Sequence, residues 1–184
     1  MAPSPRIERL TQARWKEFRR ILEESGGEAP ACMCTAYYGG DWLKEGQARR
    51  AAMFHREESD GYLLFLDAEP AGWCQCAPVS EGLRLPALPA EISALWAIPC
   101  MVLRPVFRGR GLCHEFLRLI LDDLPRRGCR RVLVVGHRPE AYDPAESFME
   151  LPATVCERAG LSLERDDPVC PRYARTFPQE PEVP

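Results

Sequence analysis

The stretch from Ile92 to His137 constrains this chain more than any other. "ISALWAIPCMVL" (92–103) is a nearly continuous apolar run. A run of that length without alternation reads as a central strand buried on both faces. "VFRGRGLC" (106–113) follows it. "GLCHEFLRLILDDL" (111–124) then sets Leu112, Phe116, Leu119 and Ile120 on one side of an amphipathic helix that Pro125 ends. "RRVLVVGH" (130–137) is a second buried strand. Strand, turn, helix and strand in that order imply a right-handed crossover between parallel neighbours.

The rest of the chain must extend that unit. "RIERL" (6–10) reads as a first strand. Thr11 offers an N-cap to a helix carrying Trp15, Phe18, Ile21 and Leu22 at helical spacing, with Gly26 and Gly27 as its stop. "EAPACMCTAYYGGDW" reads as a loop, and 43–59 as a second helix with Ala48, Ala51, Ala52 and Phe54 on its apolar side. "GYLLFLDAEPAGWCQCAPV" is a hairpin turning at "DAEP". The proline-rich 80–91 should be an irregular loop. "FMELPATVCERAGL" (148–161) holds a short helix stopped by Gly160, and "SLERDD" and "VCPRYARTF" close as strands. No repeat or linker interrupts the pattern, so one domain is expected over 1–184, with its core at about 6–177.

Charge and cysteine usage narrow the function. A net charge of −3 with a pI of about 5.7 argues against nucleic acid as a partner, because phosphate backbones select basic surfaces. No apolar run approaches the roughly 20 residues that span a bilayer. "MAPSPRIERLTQARW" lacks the apolar core of a signal peptide, so a cytoplasmic location without a membrane partner is the expectation. The nine cysteines are odd in number and irregular in spacing, which implies no complete disulfide framework. Cys32/Cys34 and Cys74/Cys76 could together offer thiolates to zinc. However, CxxC is the commoner knuckle, and Cys74 and Cys76 face one side of an apolar strand. Apolar packing without a metal is therefore expected.

The Arg108-Gly109-Arg110-Gly111 turn is richer than a plain turn requires. The first N–H groups of a helix lack intrahelical partners and lie at the positive end of its dipole. Glycines let the backbone adopt positive φ and let a phosphate approach, while Arg108 and Arg110 add donors and charge. A pyrophosphate would satisfy this set. A Walker loop would need GxxxxGK[ST], which is absent. A dinucleotide fingerprint would need a third glycine and a place after the first strand.

"LRPVFRGRGLC" resembles the acetyl-CoA-binding motif of the GNAT N-acetyltransferases, V-x-P-x-Y-R-G-x-G-x-G/A. Leu103, Pro105, Phe107, Arg108, Gly109 and Gly111 fall in its register. The order of elements around it is similar too, and "VCERAGL" resembles the family's Y-E-K-x-G-F segment. "CMCTAYY", "AGWC" and "WAIPCMVL" are similar to a bacterial subgroup with CxC after the first helix. The resemblance implies an α/β fold with a mixed, mostly antiparallel central sheet of about six to seven strands, one parallel strand–helix–strand crossover and flanking helices. It implies acetyl-CoA as co-substrate, bound by Met101, Val102, Leu103, Phe107, Arg108, Gly109, Arg110, Gly111, Leu112 and Cys113. The acceptor would be a small amine or an amino terminus, and a homodimer stays open.

The motif's usual glutamine or arginine is Val106, its last small residue is Cys113, and the tyrosine that often protonates the leaving thiolate is Cys156. Pro99 inside the central strand cannot donate a ladder hydrogen bond and argues for a bulge or splay. In the family that splay admits the pantetheine arm. Acetyl transfer to an alkyl amine also needs a proton acceptor, for which Glu91 and His137 are positioned at strand ends, and Tyr142 is a candidate thiol acid. Two other classes remain open from the residues: an acyl-CoA-binding module without catalysis, and a thiolate metal or redox protein built on Cys32, Cys34, Cys74, Cys76 and Cys100.

Overall fold

The computed structural model describes residues 4–26, 29–55, 61–79, 94–141 and 150–178. Its elements run β1 (Pro5–Arg9), α1 (Trp15–Ser25), α2 (Ala29–Cys32), α3 (Trp42–His55), β2 (Gly61–Leu66), β3 (Glu69–Pro78), β4 (Leu95–Leu103), α4 (Leu112–Asp123), β5 (Arg131–His137), β6 (Leu151–Pro152), α5 (Ala153–Arg158), β7 (Ser162–Arg165) and β8 (Arg172–Thr176). The strands form one eight-stranded sheet in the order β1-β2-β3-β4-β5-β8-β7, with β6 added beside β5. β4–β5 and β5–β6 are parallel, and the other pairs are antiparallel. The expected architecture holds. The additional strand is β6, whose two residues are too few to show a period in sequence.

Two apolar layers cover the sheet. On one face α4 and α5 bury Phe116, Leu117, Ile120, Leu121 and Cys156 against Cys74, Cys76, Ile98, Met101 and Val132. Cys74 and Cys76 thus share a face, as the strand period requires. On the other face α1 presents Phe18, Ile21 and Leu22 to Leu63, Phe65, Trp73, Cys100 and Val102. Phe18 meets Trp73 edge-on at 4.8 Å between ring centroids, a favourable aromatic geometry.

Four local expectations are corrected. Thr11 makes no side-chain cap; the chain enters α1 through a 3-10 turn at Gln12–Arg14, closed by Arg14 N–H donating to Thr11 O. The segment expected as a loop contains α2 and a 3-10 turn at Ala36–Tyr38. α4 continues past Asp123 into a 3-10 turn at Leu124–Arg127, where Pro125 occupies an early position that needs no N–H donor. Finally, α3 buries the expected side only in part: Ala51, Ala52 and Phe54 are half-buried, with Phe54 against the α1-side core. Ala48 is exposed, and Gly46, Arg50 and Met53 face inward. The reason is polar: Arg50 is 0 % exposed because its guanidinium donates to Met33 O, Cys34 O and Gln75 Oε1. Those bonds rotate the helix away from its weak alanine face.

Candidate functional site

The site begins with one extra residue in β4. Gln75 pairs with Cys100 and Ala77 with Ala97, so Ile98 and Pro99 together oppose a single residue of β3. This is a β-bulge, and proline fits it because the ladder needs no donor there. The bulge shifts the alternation of the strand. Before it, Leu95 O accepts from Val79 N–H on the β3 side; after it, Arg104 N–H donates to Ala71 O on that same side. Val102 and Cys100 therefore also turn their peptide groups toward β3, and Met101 and Leu103 turn theirs away.

What they face is a widening gap. β4 pairs with β5 only from Leu95↔Arg131 to Ile98↔Val134. Beyond that point β5 takes β6 as its parallel neighbour, Gly136 opposite Leu151 and His137 opposite Pro152. Gly136 N–H and Arg138 N–H donate to Pro171 O and Val169 O in the segment leading to β8. β6 thus occupies the edge of β5 that β4 has left. The bulge at Pro99 and the splay it foreshadowed are both present.

The Arg-Gly turn lies at the end of β4. A 3-10 turn at Pro105–Phe107 leads to Gly109 (φ +72) and Gly111 (φ +74), the latter being the N-terminal cap of α4. Both glycines need the left-handed conformation, and a Cβ on either would meet nothing within 4 Å. The turn is open to solvent, with Leu112 and Cys113 half-buried behind it. The unpaired N–H groups opening a 12-residue helix therefore face accessible space.

The arginines around the turn differ in their partners. Arg108 is exposed and makes two bonds back to the protein: Nε donates to Leu103 O at 2.9 Å and Nη2 to Ser25 O at 3.3 Å. It braces the end of β4 and the turn to the C-terminus of α1. Arg110 is exposed and lies over the Phe107 ring at 5.9 Å. Arg104 was not singled out in sequence, yet it is 5 % exposed and pairs with Glu24 at 2.7 Å and Glu69 at 3.3 Å. Its guanidinium also lies over the Phe107 ring, at 5.2 Å.

Near the start of the splay a polar group forms that sequence reasoning only half found. His137 Nδ1 lies 2.8 Å from Glu150 O. A carbonyl only accepts, so the neutral ring carries its proton on Nδ1 and its lone pair on Nε2. Tyr37 donates to Glu150 Oε1 at 3.2 Å. Burial, followed by the Glu150 charge, pushes the Tyr37 phenol well above its usual range, so it remains a donor. Tyr37 also packs against both apolar clusters on the α1 side of β4. Glu150 had no legible signal, because only the two-residue β6 brings it beside β5. Tyr37 lay in "CTAYY", but nothing in that pattern named its partner. Glu91 and Tyr142 lie outside the described residues.

Cys156 is 0 % exposed in the α4-side core, and burial, with Glu157 adding to it, pushes its thiol up to about 12. Burial also raises the Cys113 thiol, partly offset by Arg108. Among the described residues no group of three or more His, Cys, Asp or Glu could hold a metal ion. None of their helices is long and apolar enough to cross a membrane.

A family model described as "Acetyltransferase (GNAT) family" matches residues 10–151. No curated protein matches the sequence. Among solved structures, an acetyltransferase from Thermus thermophilus is 17% identical, covers 96% of this chain and 100% of its own, and superposes with a TM-score of 0.56. An aminoglycoside acetyltransferase in complex with coenzyme A is 15% identical over 94% of this chain and 95% of its own, TM-score 0.58. The ribosomal-protein-S18-alanine N-acetyltransferase from Escherichia coli is 12% identical over 98% of each chain, TM-score 0.57.

Proposed function

The chain belongs to the GNAT acetyltransferase family, and from that premise we propose that it moves an acetyl group from acetyl-CoA directly to a primary amine. One observation carries the reading: the peptide groups of Met101 and Leu103 face the gap where β4 leaves β5, and that strand runs straight into the open Gly109–Gly111 turn. An extended amide-bearing arm ending in a pyrophosphate matches this sequence of groups. The arm would pair with Met101–Leu103, and the pyrophosphate would take the N–H groups of 109–113, with Phe107 and Arg110 beside it. The aminoglycoside acetyltransferase of the same fold holds coenzyme A, which supports the assignment.

The chemistry follows from the groups around the gap. Backbone N–H groups of the splayed strand can polarise the thioester carbonyl and stabilise the oxyanion. Holding amine and thioester together supplies much of the remaining acceleration. His137 is the proton acceptor in this reading, its ring held in place by the bond between Nδ1 and Glu150 O. Tyr37 fixes the Glu150 carboxylate beside it, where a cationic amine would be attracted before it gives up its proton. The thiolate leaves toward solvent and the positive end of α4.

A thiol-release assay with acetyl-CoA and an amine library tests the proposal. At least one amine should release CoA above the rate of hydrolysis and gain an acetyl group by mass, and His137→Gln should reduce that rate. The buried Cys156 in the place of the family's tyrosine favours a second reading, an acyl-CoA-binding module without turnover. CoA binding by calorimetry without release for any amine would select that module. Absence of CoA binding would overturn both.

A further inference from the structure

The redox reading of the cysteines has a geometric basis that neither the acetyl transfer nor the fold requires. Cys34 Sγ and Cys100 Sγ lie 3.2 Å apart although 66 positions separate them in sequence. They meet because the bulge at Ile98–Pro99 turns Cys100 onto the α1 face of the sheet; without the extra residue its side chain would point at α4. On the other side, Met33 (φ +48) and Cys34 (φ +49) both adopt the left-handed region, which non-glycine residues rarely visit. Arg50 holds them there by donating to both of their carbonyls. An ordinary buried cysteine needs neither a strained loop nor a buried guanidinium.

We propose that Cys34 and Cys100 form a dithiol–disulfide site, oxidised by small hydroperoxides and returned to the dithiol by a small reducing thiol that is itself oxidised to its disulfide, and that the link ties the loop after α2 to β4 next to Met101. In the first step Cys34 sulfur attacks the hydroperoxide. An S–O bond forms, the O–O bond breaks, and water or an alcohol leaves with the thiol proton. Cys34, oxidised by two electrons, is then a sulfenic acid. In the second step Cys100 sulfur attacks Cys34 sulfur. The S–S bond forms, the S–O bond breaks, and water leaves with the Cys100 proton.

The surroundings assign the roles. The hydrogen bond shared with Cys100 lowers the Cys34 thiol pKa, the Arg50 charge assists, and burial opposes both. Trp73 Nε1–H, which makes no regular hydrogen bond, also lies close enough to favour a Cys34 thiolate. Cys100 is pushed well above the usual range, first by its bond to Cys34 and then by burial, so it serves as the resolving thiol. The size of the oxidant follows from access. Cys34 is 2 % exposed and Cys100 5 %, so the oxidant that suits the site is a small peroxide rather than a bulky disulfide.

The test uses the full chain, reduced, then treated with hydrogen peroxide, alkylated and mapped without reduction. A Cys34–Cys100 linked peptide should be the main cross-link and should vanish with dithiothreitol. The oxidised protein should melt about 5 °C or more above the reduced one, because the link closes a long loop. In Cys100→Ser, dimedone should label Cys34, and Cys170→Ser should leave the cross-link intact. If Cys34 and Cys100 are both alkylated after peroxide while Cys170 or Cys113 is oxidised, the proposal is overturned. A linked peptide with an unchanged or lower melting temperature would also overturn it, since the native geometry would then not accommodate the bond. These readouts do not depend on acetyl transfer, and the wild-type mapping and melting stand even if Cys100→Ser fails to fold.

Discussion

Replacing Gly111 by aspartate separates backbone strain from ligand recognition. Gly111 has φ +74 and ψ 4, and a Cβ there meets nothing within 4 Å. The cost to the fold is therefore conformational rather than steric, about 1 kcal/mol, and aspartate tolerates that region better than most residues. A loss of this size lowers the melting temperature of a chain this long by about 2–4 °C. The cost to CoA binding is electrostatic. A carboxylate about 4 Å from a phosphate charge at an effective dielectric near 20 is repelled by about 4 kcal/mol. Solvent and salt at this exposed turn reduce that to about 2 kcal/mol, or roughly 30-fold in Kd. Gly128 supplies the control: its φ is +78, its Cβ would also meet open space, and it follows the 3-10 turn at the far end of α4. Gly128→Asp should lower the melting temperature similarly and leave Kd unchanged. Isothermal calorimetry with CoA at fixed salt measures both. A folded Gly111→Asp protein that binds CoA within about threefold of wild type, or a Gly128→Asp protein that weakens as much, would falsify the placement of the pyrophosphate.

Three further outcomes follow. Cys156→Ala should keep most of its turnover, because a thiol pushed up to about 12 is a weaker acid than a CoA thiol near about 8.5 and cannot usefully protonate it; a fall in kcat beyond about a hundredfold, with folding and CoA binding intact, would give Cys156 a chemical role. Arg50→Met should destabilise the fold by about 3 kcal/mol, since Met33 O, Cys34 O and Gln75 Oε1 all lose a donor inside the protein; urea denaturation showing less than about 1 kcal/mol would contradict this account of α3. EDTA should leave the melting temperature unchanged, because the described cysteines form no cluster of three ligands; a collapse on chelation would restore the metal reading.

The crossover from β4 through α4 to β5, Leu95 to His137, was legible because its signals are local. A buried strand is a run of apolar residues, an amphipathic helix is a period, and a left-handed turn calls for glycine at a given position. The same holds for Pro99: a residue without an N–H in a central strand announces a bulge wherever the strand ends up. These features, with the motif register of Leu103 to Gly111, determined the fold class and the place of the glycine turn between β4 and α4. The tertiary structure alone decided which groups remain for chemistry. Arg108 reads as a phosphate donor in sequence, and the fold adds bonds from its Nε to Leu103 O and its Nη2 to Ser25 O. Arg50 reads as the solvated side of a helix, but the Met33 and Cys34 carbonyls of the preceding loop and Gln75 from β3 draw it fully inside. Glu150 reaches His137 and Tyr37 only through two residues of strand pairing, and Cys34 meets Cys100 only because a single-residue bulge turns β4 over. Hydrogen bonds and charge pairs between residues distant in sequence leave no period or composition to read, because their partners are chosen by the folded path of the backbone.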